Sequence, residues 1–272
     1  RLGPPGHTLH PHAPTDLPSS RGTMPTRPAP EFPELHMLPQ PDDSTCGPTC
    51  LQAVYRYYGL DLPLEQVIEE VHALETSGTL AVFLAQHALR LGFDATIYTY
   101  NLTVFDPSWF DPPVEDLSAQ LRAQADFKPD PRLQVATTAY LEFLRLGGEI
   151  VYEELTPELV RGYLRRGRPI LTGLSATYLY GCAREAGTDR LHYDDLRGVP
   201  TGHFVVLSGY EPDDREVLIA DPLRDNPLTG SQRYRLPMQR VLGAILLGVL
   251  TYDANFLVIE PRRDRGAPGG EG

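Results

Sequence analysis

Lysine is almost absent from this 272-residue chain: Lys128 stands alone, and arginine carries nearly all the positive charge. We attach no mechanism to that bias. The 24 basic residues are outnumbered by 36 acidic ones, for a net charge of -12. No basic patch that could neutralise phosphates is visible, which argues against a nucleic-acid partner, and the negative balance predicts solubility and little affinity for an anionic membrane. Cysteine is scarce too. Three cysteines make no disulfide framework, and an odd number leaves at least one thiol free, so a reducing, cytoplasmic setting is expected. No apolar run approaches the roughly 18–20 residues that span a bilayer; the most apolar stretch, 241–250, reads as a buried helix. A basic segment followed by an apolar one, the mark of a secretory signal, is missing from the N-terminus, although the chain starts at Arg1.

What is present is ordinary for a soluble globular protein, with 41% apolar and 22% charged residues. Residues 1–32 are rich in Pro, Ser and Thr and bury too little apolar surface to offset ordering entropy, so a disordered tail is expected. His7, His10 and His12 lie in it as solvated residues, a metal-binding tract being the other reading. The Gly- and Arg-rich stretch 263–272 reads as a second tail. Between them no linker interrupts 33–262, which predicts a single domain.

The periodicity inside that domain starts helical. Leu51, Val54, Tyr55 and Tyr58 form one apolar stripe that ends at Gly59. LPLEQVIEEVHAL and GTLAVFLAQHALRLG read as two more helices, and FDATIYTY as a strand. Helices are expected again in PPVEDLSAQLRAQ and RLQVATTAYLEFLRLGG. Then come a strand (EIVYEE), a helix capped by Thr156 with Pro157 in its first position, and a strand (RPILTGL). A Gly- and Tyr-containing segment, 175–200, which could act as a lid, leads into HFVVLSGY, EVLIADP and NFLVIEP, three strands. Helices first and strands later make an α+β fold with a mainly antiparallel sheet.

Cys46 and Cys50 sit four residues apart where a polar loop becomes a helix. With Ser44 or Thr45 as N-cap and Pro48 in the first turn, Cys46 falls at the helix N-terminus, where the dipole and free N–H groups favour an anion such as a thiolate. Gly47 leaves room for a substrate backbone to approach. Cys50, one turn on, reads as core. A buried thiol, a metal or disulfide pair and an activated nucleophile all remain open on this segment alone, although a metal would need further ligands, and no second Cys/His cluster exists.

His203 opens the strand HFVVLSGY, EPDD is a turn, and EVLIADP returns. With that turn centred on Pro212, Leu207 faces Val217 and His203 faces Asp221. Directly opposite side chains of an antiparallel pair share a face at about 5 Å, so an imidazole would meet a carboxylate that orients it and stabilises its charge. A slip of one residue would part them. His192 is the rival base, in irregular surroundings; His72 and His87 fall in amphipathic helices and read as satisfied there. Gln40, six residues before Cys46, can supply an amide to an oxyanion if its loop folds back.

The segment QPDDSTCGPTCLQAVYRYYG, with its glutamine, acidic pair, Cys-Gly-Pro and helix, resembles the C39 and C39-like cysteine peptidases, a papain-like family, and TGHFVVLSGYEPDDREVLIADP looks like that family's histidine and aspartate strands. The resemblance covers about 36–100 and 165–260, and implies a papain-like fold, no cofactor, and a peptide or protein substrate. It further implies Gln40 as oxyanion donor, Cys46 as nucleophile, His203 as general base and acid, and Asp221 as the residue orienting it. The arrangement is also similar to guanylyl-cyclase-domain proteins that share this core, but neither a Gly-rich phosphate cradle nor a Mg²⁺-binding carboxylate set can be read here. The best-known C39 members are fused to ABC transporters and trim leader peptides after a double glycine. Here no transmembrane helix or nucleotide-binding motif is read, and segments 101–150 and 175–200 are extra. The expectation is a stand-alone cysteine hydrolase, most simply a peptidase. An acyltransferase or transpeptidase using the same thiol and a non-catalytic binding module are the alternatives.

Overall fold

The structure, a computed structural model, describes residues 34–262 apart from 73, 75–77, 188–191 and 214. Both expected tails, with His7, His10 and His12, lie outside the described residues. The chain runs α1 (Cys46–Tyr57), α2 (Leu64–Glu70), α3 (Ala81–Arg90), β1 (Phe93–Thr99), α4 (Leu117–Phe127), α5 (Pro131–Arg145), β2 (Glu149–Val151), α6 (Pro157–Leu164), β3 (Ile170–Ser175) and α7 (Ala176–Tyr180). There follow β4 (Glu185–Ala186), β5 (His192–Tyr193), β6 (Gly202–Glu211), β7 (Glu216–Ala220), β8 (Arg233–Pro237), α8 (Met238–Leu247) and β9 (Asn255–Pro261). Seven strands make one sheet in the order β2-β1-β9-β3-β6-β7-β8, antiparallel throughout except for the β1–β2 pair. The α+β architecture with a mainly antiparallel sheet is as expected.

Helices cover both faces of that sheet. On one, α1, α3 and α5 pack on Phe204, Val206, Ala220, Leu257 and Ile259. On the other, α7, α8 and Val160 of α6 pack on Val205, Leu207, Ile219, Phe256 and Val258. A strand between two apolar layers has no solvent side, and all six residues of β3 are accordingly buried. Among the described residues no helix is long and apolar enough to cross a membrane.

Local chemistry explains the helix starts. Asp116, Asp130 and Thr156 each accept a hydrogen bond from the backbone N–H three residues on, and Pro131 and Pro157 take first positions where a missing N–H costs nothing. The helix expected over LPLEQVIEEVHAL stops at Glu70, so His72 lies beyond it, exposed. β8 was not anticipated: it has only five residues, although Tyr234 and Leu236 alternate inward between exposed neighbours. Nor does 175–200 stand apart from the fold, because α7 at its start is packed into the second core.

Candidate active site

α1 begins at Cys46, as its sequence required, but without a side-chain cap. The Thr45 hydroxyl instead donates back to the Asp42 carbonyl at 3.2 Å, and the Ser44 N–H and hydroxyl both go to Asp42 Oδ1. A missing cap costs about 0.5–2 kcal/mol, whereas burying Leu51 and Val54 contributes about 1.5–3 kcal/mol each, and both are at most 1% exposed. Packing therefore holds the helix and leaves its first turn bare. The N–H groups of Cys46 and Gly47 have no acceptor among the described residues, and Pro48, third in the helix, has no N–H to leave unpaired. Gly47 is also required by space: a β-carbon there would lie 2.6 Å from the Thr79 methyl and 3.3 Å from Leu84 and Phe204. Cys50 is fully buried, its thiol directed at the Phe204 carbonyl at 3.3 Å, the core role expected of it.

The hairpin of β6 and β7 differs in register from the expected one, yet brings the same two side chains together. Near the turn Tyr210 pairs with Val217 and Gly209 with Leu218; beyond it Leu207 pairs with Ile219 and Val206 with Ala220. One extra residue on β6, a bulge at Ser208, separates the two registers. Had the turn-side register run on, Asp221 would point to the opposite face from His203. The bulge restores the parity, and His203 Nε2 lies 2.9 Å from Asp221 Oδ1.

Asp221 is completely buried and fully engaged. Oδ1 also accepts the Leu223 N–H at 2.9 Å, while Oδ2 accepts the hydroxyls of Tyr180 at 2.9 Å and Tyr234 at 2.6 Å. Burial pushes its carboxyl up, but the His203 charge and the bonds from His203, Tyr234 and Leu223 outweigh it and hold the group below the ordinary carboxylate range. The two phenols are pushed the other way, by burial and by the Asp221 charge, so they remain donors. No local pattern pointed to them: they lie 41 and 13 positions from Asp221, on elements whose packing was not foreseeable. Tyr234→Phe removes one charge-assisted bond without opening a cavity, and is expected to cost about 1.5–3 kcal/mol in a urea unfolding titration, with an unchanged denaturant slope.

Burial draws His203 down, yet the charge and hydrogen bond of Asp221, and then those of Cys46, push it up to about 10. Cys46 thus lies near enough to bear on the charge of the ring, and since Nε2 is taken by Asp221, Nδ1 is the nitrogen left for the thiol. The two partners come from opposite layers: Cys46 from the helix packed with Phe204 and Val206, Asp221 from the side of Tyr180 and Tyr234. His203 spans them at the strand ends.

Gln40 is brought to this margin by its backbone. Its N–H donates to the Pro222 carbonyl at 3.0 Å, and Gln232 Nε2 ties Leu38 (3.0 Å) to the Asp221 carbonyl (3.2 Å). Its side-chain amide turns to the Asp42 carbonyl at 2.9 Å, while Oε1 is buried without a partner. The rival base His192 is exposed on the small β4–β5 ribbon. His87 is satisfied by the Tyr55 hydroxyl at 2.8 Å and Glu70 at 3.0 Å.

Residues 140–242 match the Peptidase_C39 like family. That stretch is similar to the C39-like family. The match takes in His203, Asp221, Tyr180 and Tyr234, and the whole 175–200 segment; it leaves Gln40 and Cys46 outside. It lends nothing to the guanylyl-cyclase likeness. Solved structures similar to this chain include a putative C39-like peptidase from Bacillus anthracis, at 15% identity and a TM-score of 0.46 over 84% of this chain and 95% of that one. A double glycine motif protease from an AMS/PCAT transporter, in complex with its leader peptide, is 16% identical with a TM-score of 0.41 over 84% and 93%. Xylellain, a cysteine protease from Xylella fastidiosa, is 15% identical with a TM-score of 0.42 over 85% and 84%. No match was found among curated proteins.

Proposed function

We propose that this C39-like chain is a cysteine hydrolase, a stand-alone peptidase that cleaves an amide bond through an acyl-thioester on Cys46. What supports the reading is a buried imidazole hydrogen-bonded to the Asp221 carboxylate at 2.9 Å, with Cys46 at the start of α1 near enough to bear on its charge. A ring with so high an affinity for protons takes the thiol proton on Nδ1. The sulfur attacks the substrate carbonyl carbon, the C=O pair moves to oxygen, and the oxyanion meets the unpartnered N–H groups of Cys46 and Gly47. Gln40 joins them once its amide leaves the Asp42 carbonyl. Collapse of the tetrahedral adduct breaks the C–N bond, with the Nδ1 proton passing to the departing amine; water, deprotonated by the same nitrogen, then releases the acid and restores the thiol. Residues 33–262 act in this as one domain, and the substrate is a peptide or protein.

The test is mass spectrometry of the full chain after incubation with a peptide library. An acyl adduct on Cys46 and products ending in a new free carboxylate are expected. Products joined instead to an added amine would mean acyl transfer. No adduct, together with iodoacetamide labelling of Cys46 no faster than that of Cys182, would leave a non-catalytic module.

A further inference from the structure

A second carboxyl is buried next to the His203 backbone, and the scheme above does not use it. Asp253 precedes β9 and is 6% exposed. Thr251 donates its hydroxyl to Oδ2 at 2.8 Å, the one side-chain donor to this carboxyl among the described residues. Two glycines make the space. A β-carbon on Gly202, the residue before His203, would collide with Oδ2 and lie 2.7 Å from the Thr251 hydroxyl. One on Gly173, which pairs with Phe204, would lie 2.8 Å from the Asp253 Cβ and 3.1 Å from Oδ1. Gly173 and Phe204 share the face that packs under α1, whereas Asp221 lies on the other. The strand end that carries His203 is therefore flanked by a carboxyl on each face.

We propose that Asp253 is a second acidic positioning residue of the site: seated against Gly202 and Gly173, its carboxylate braces the end of β6 from the face opposite Asp221 and adds negative charge within electrostatic reach of His203. This rests on the reading of Cys46 and His203 as the reacting pair. Burial pushes Asp253 up to about 7, with the Thr251 bond and the charges of Arg132 and His203 drawing it back. The titratable and charged groups facing it are His203 on β6 and Arg132 and Tyr140 on α5; β3 presents only Gly173. Its ionised fraction rises across the neutral range, and so does its support for the imidazolium. The effect on stability has the opposite sign. An acid whose folded value is raised costs stability as pH climbs from the ordinary carboxylate range through about 7. A neutral residue of the same shape is thus expected to leave the fold at least as stable above pH 7 while slowing the thiol.

Iodoacetamide alkylation of Cys46 between pH 5 and 9, in wild type, Asp253→Asn, Thr251→Val and His203→Ala, tests this. Wild type is expected to show a step in rate near pH 7. Asp253→Asn loses that step and reacts roughly threefold to tenfold more slowly at pH 8, with a melting temperature at pH 8 no lower than wild type. Thr251→Val, lacking the donor, moves the step to higher pH. An Asp253→Asn profile that follows wild type overturns the proposal, as does an equal loss at every pH accompanied by a lower melting temperature. Wild type reacting no faster than His203→Ala would instead bring down the catalytic reading, and this inference with it.

Discussion

His203→Ala should slow hydrolysis of any substrate the chain proves to have by about 10²–10⁴-fold, the usual yield of a positioned general base and acid, while the fold survives. The reason lies in the partners of Asp221. Without the imidazole the carboxylate still accepts from Tyr180, Tyr234 and the Leu223 N–H, so its charge is not left bare. The thiol, in contrast, loses the titratable side chain on β6 whose charge it is coupled to. Circular dichroism close to wild type alongside the lost rate is the expected outcome. His203→Ala retaining more than about a tenth of wild-type kcat/KM would remove the ring from the chemistry. His203→Gln offers a further check, because its amide can donate to Asp221 but cannot cycle a proton; it should be as slow as His203→Ala.

Much of this site is written in short segments. The start of α1 at Cys46 follows from a polar loop, a proline tolerated in the first turn and an apolar stripe behind it, all within about twenty residues. The core position of Cys50 is legible on the same grounds; Gly47, read as room for a substrate, instead makes room for Thr79, Leu84 and Phe204. The pairing of His203 with Asp221 is legible only in outcome, because the expected register was wrong on both sides of the bulge at Ser208 (Leu207 pairs with Ile219, not Val217) and the bulge alone kept the two side chains on one face. A bulge depends on how neighbouring strands twist, which no local pattern in HFVVLSGY states. Tyr180 and Tyr234 are a different matter. Each reads as one more aromatic residue in a segment without clear periodicity, and their common target emerges only when β8 pairs with β7 and α7 folds under β6. Asp253 is hidden for a similar reason: two glycines on two other strands mark its place, and neither adjoins it in sequence. The bare first turn of α1 was also missed, since Ser44 and Thr45 have the right chemistry for a cap and are drawn to Asp42 instead.

Asp221→Ala should produce the largest loss of stability of any single change at the site. It leaves a buried imidazolium without its counter-charge and strands two phenol hydroxyls and one N–H, and breaking a buried pair from one side costs about 3–5 kcal/mol, a large part of the roughly 5–15 kcal/mol that holds a domain together. Asp221→Asn keeps an acceptor for the tyrosines and should lose less. The dependence on pH distinguishes this cause from simple loss of packing. His203 is raised to about 10, so its contribution is complete below its ordinary value of 6.5 and fades as pH rises toward 10. Asp221 is lowered, so its contribution is present above the ordinary carboxylate value of 3.8 and is lost as pH falls through the depressed one. Both are in place from about pH 4 to 6.5. The gap between wild type and Asp221→Ala in urea midpoint, at constant slope, should therefore be widest near pH 5.5 and narrow by pH 9.5. A gap of the same size at both would mean that volume and hydrogen bonds, rather than the charge on His203, account for the loss.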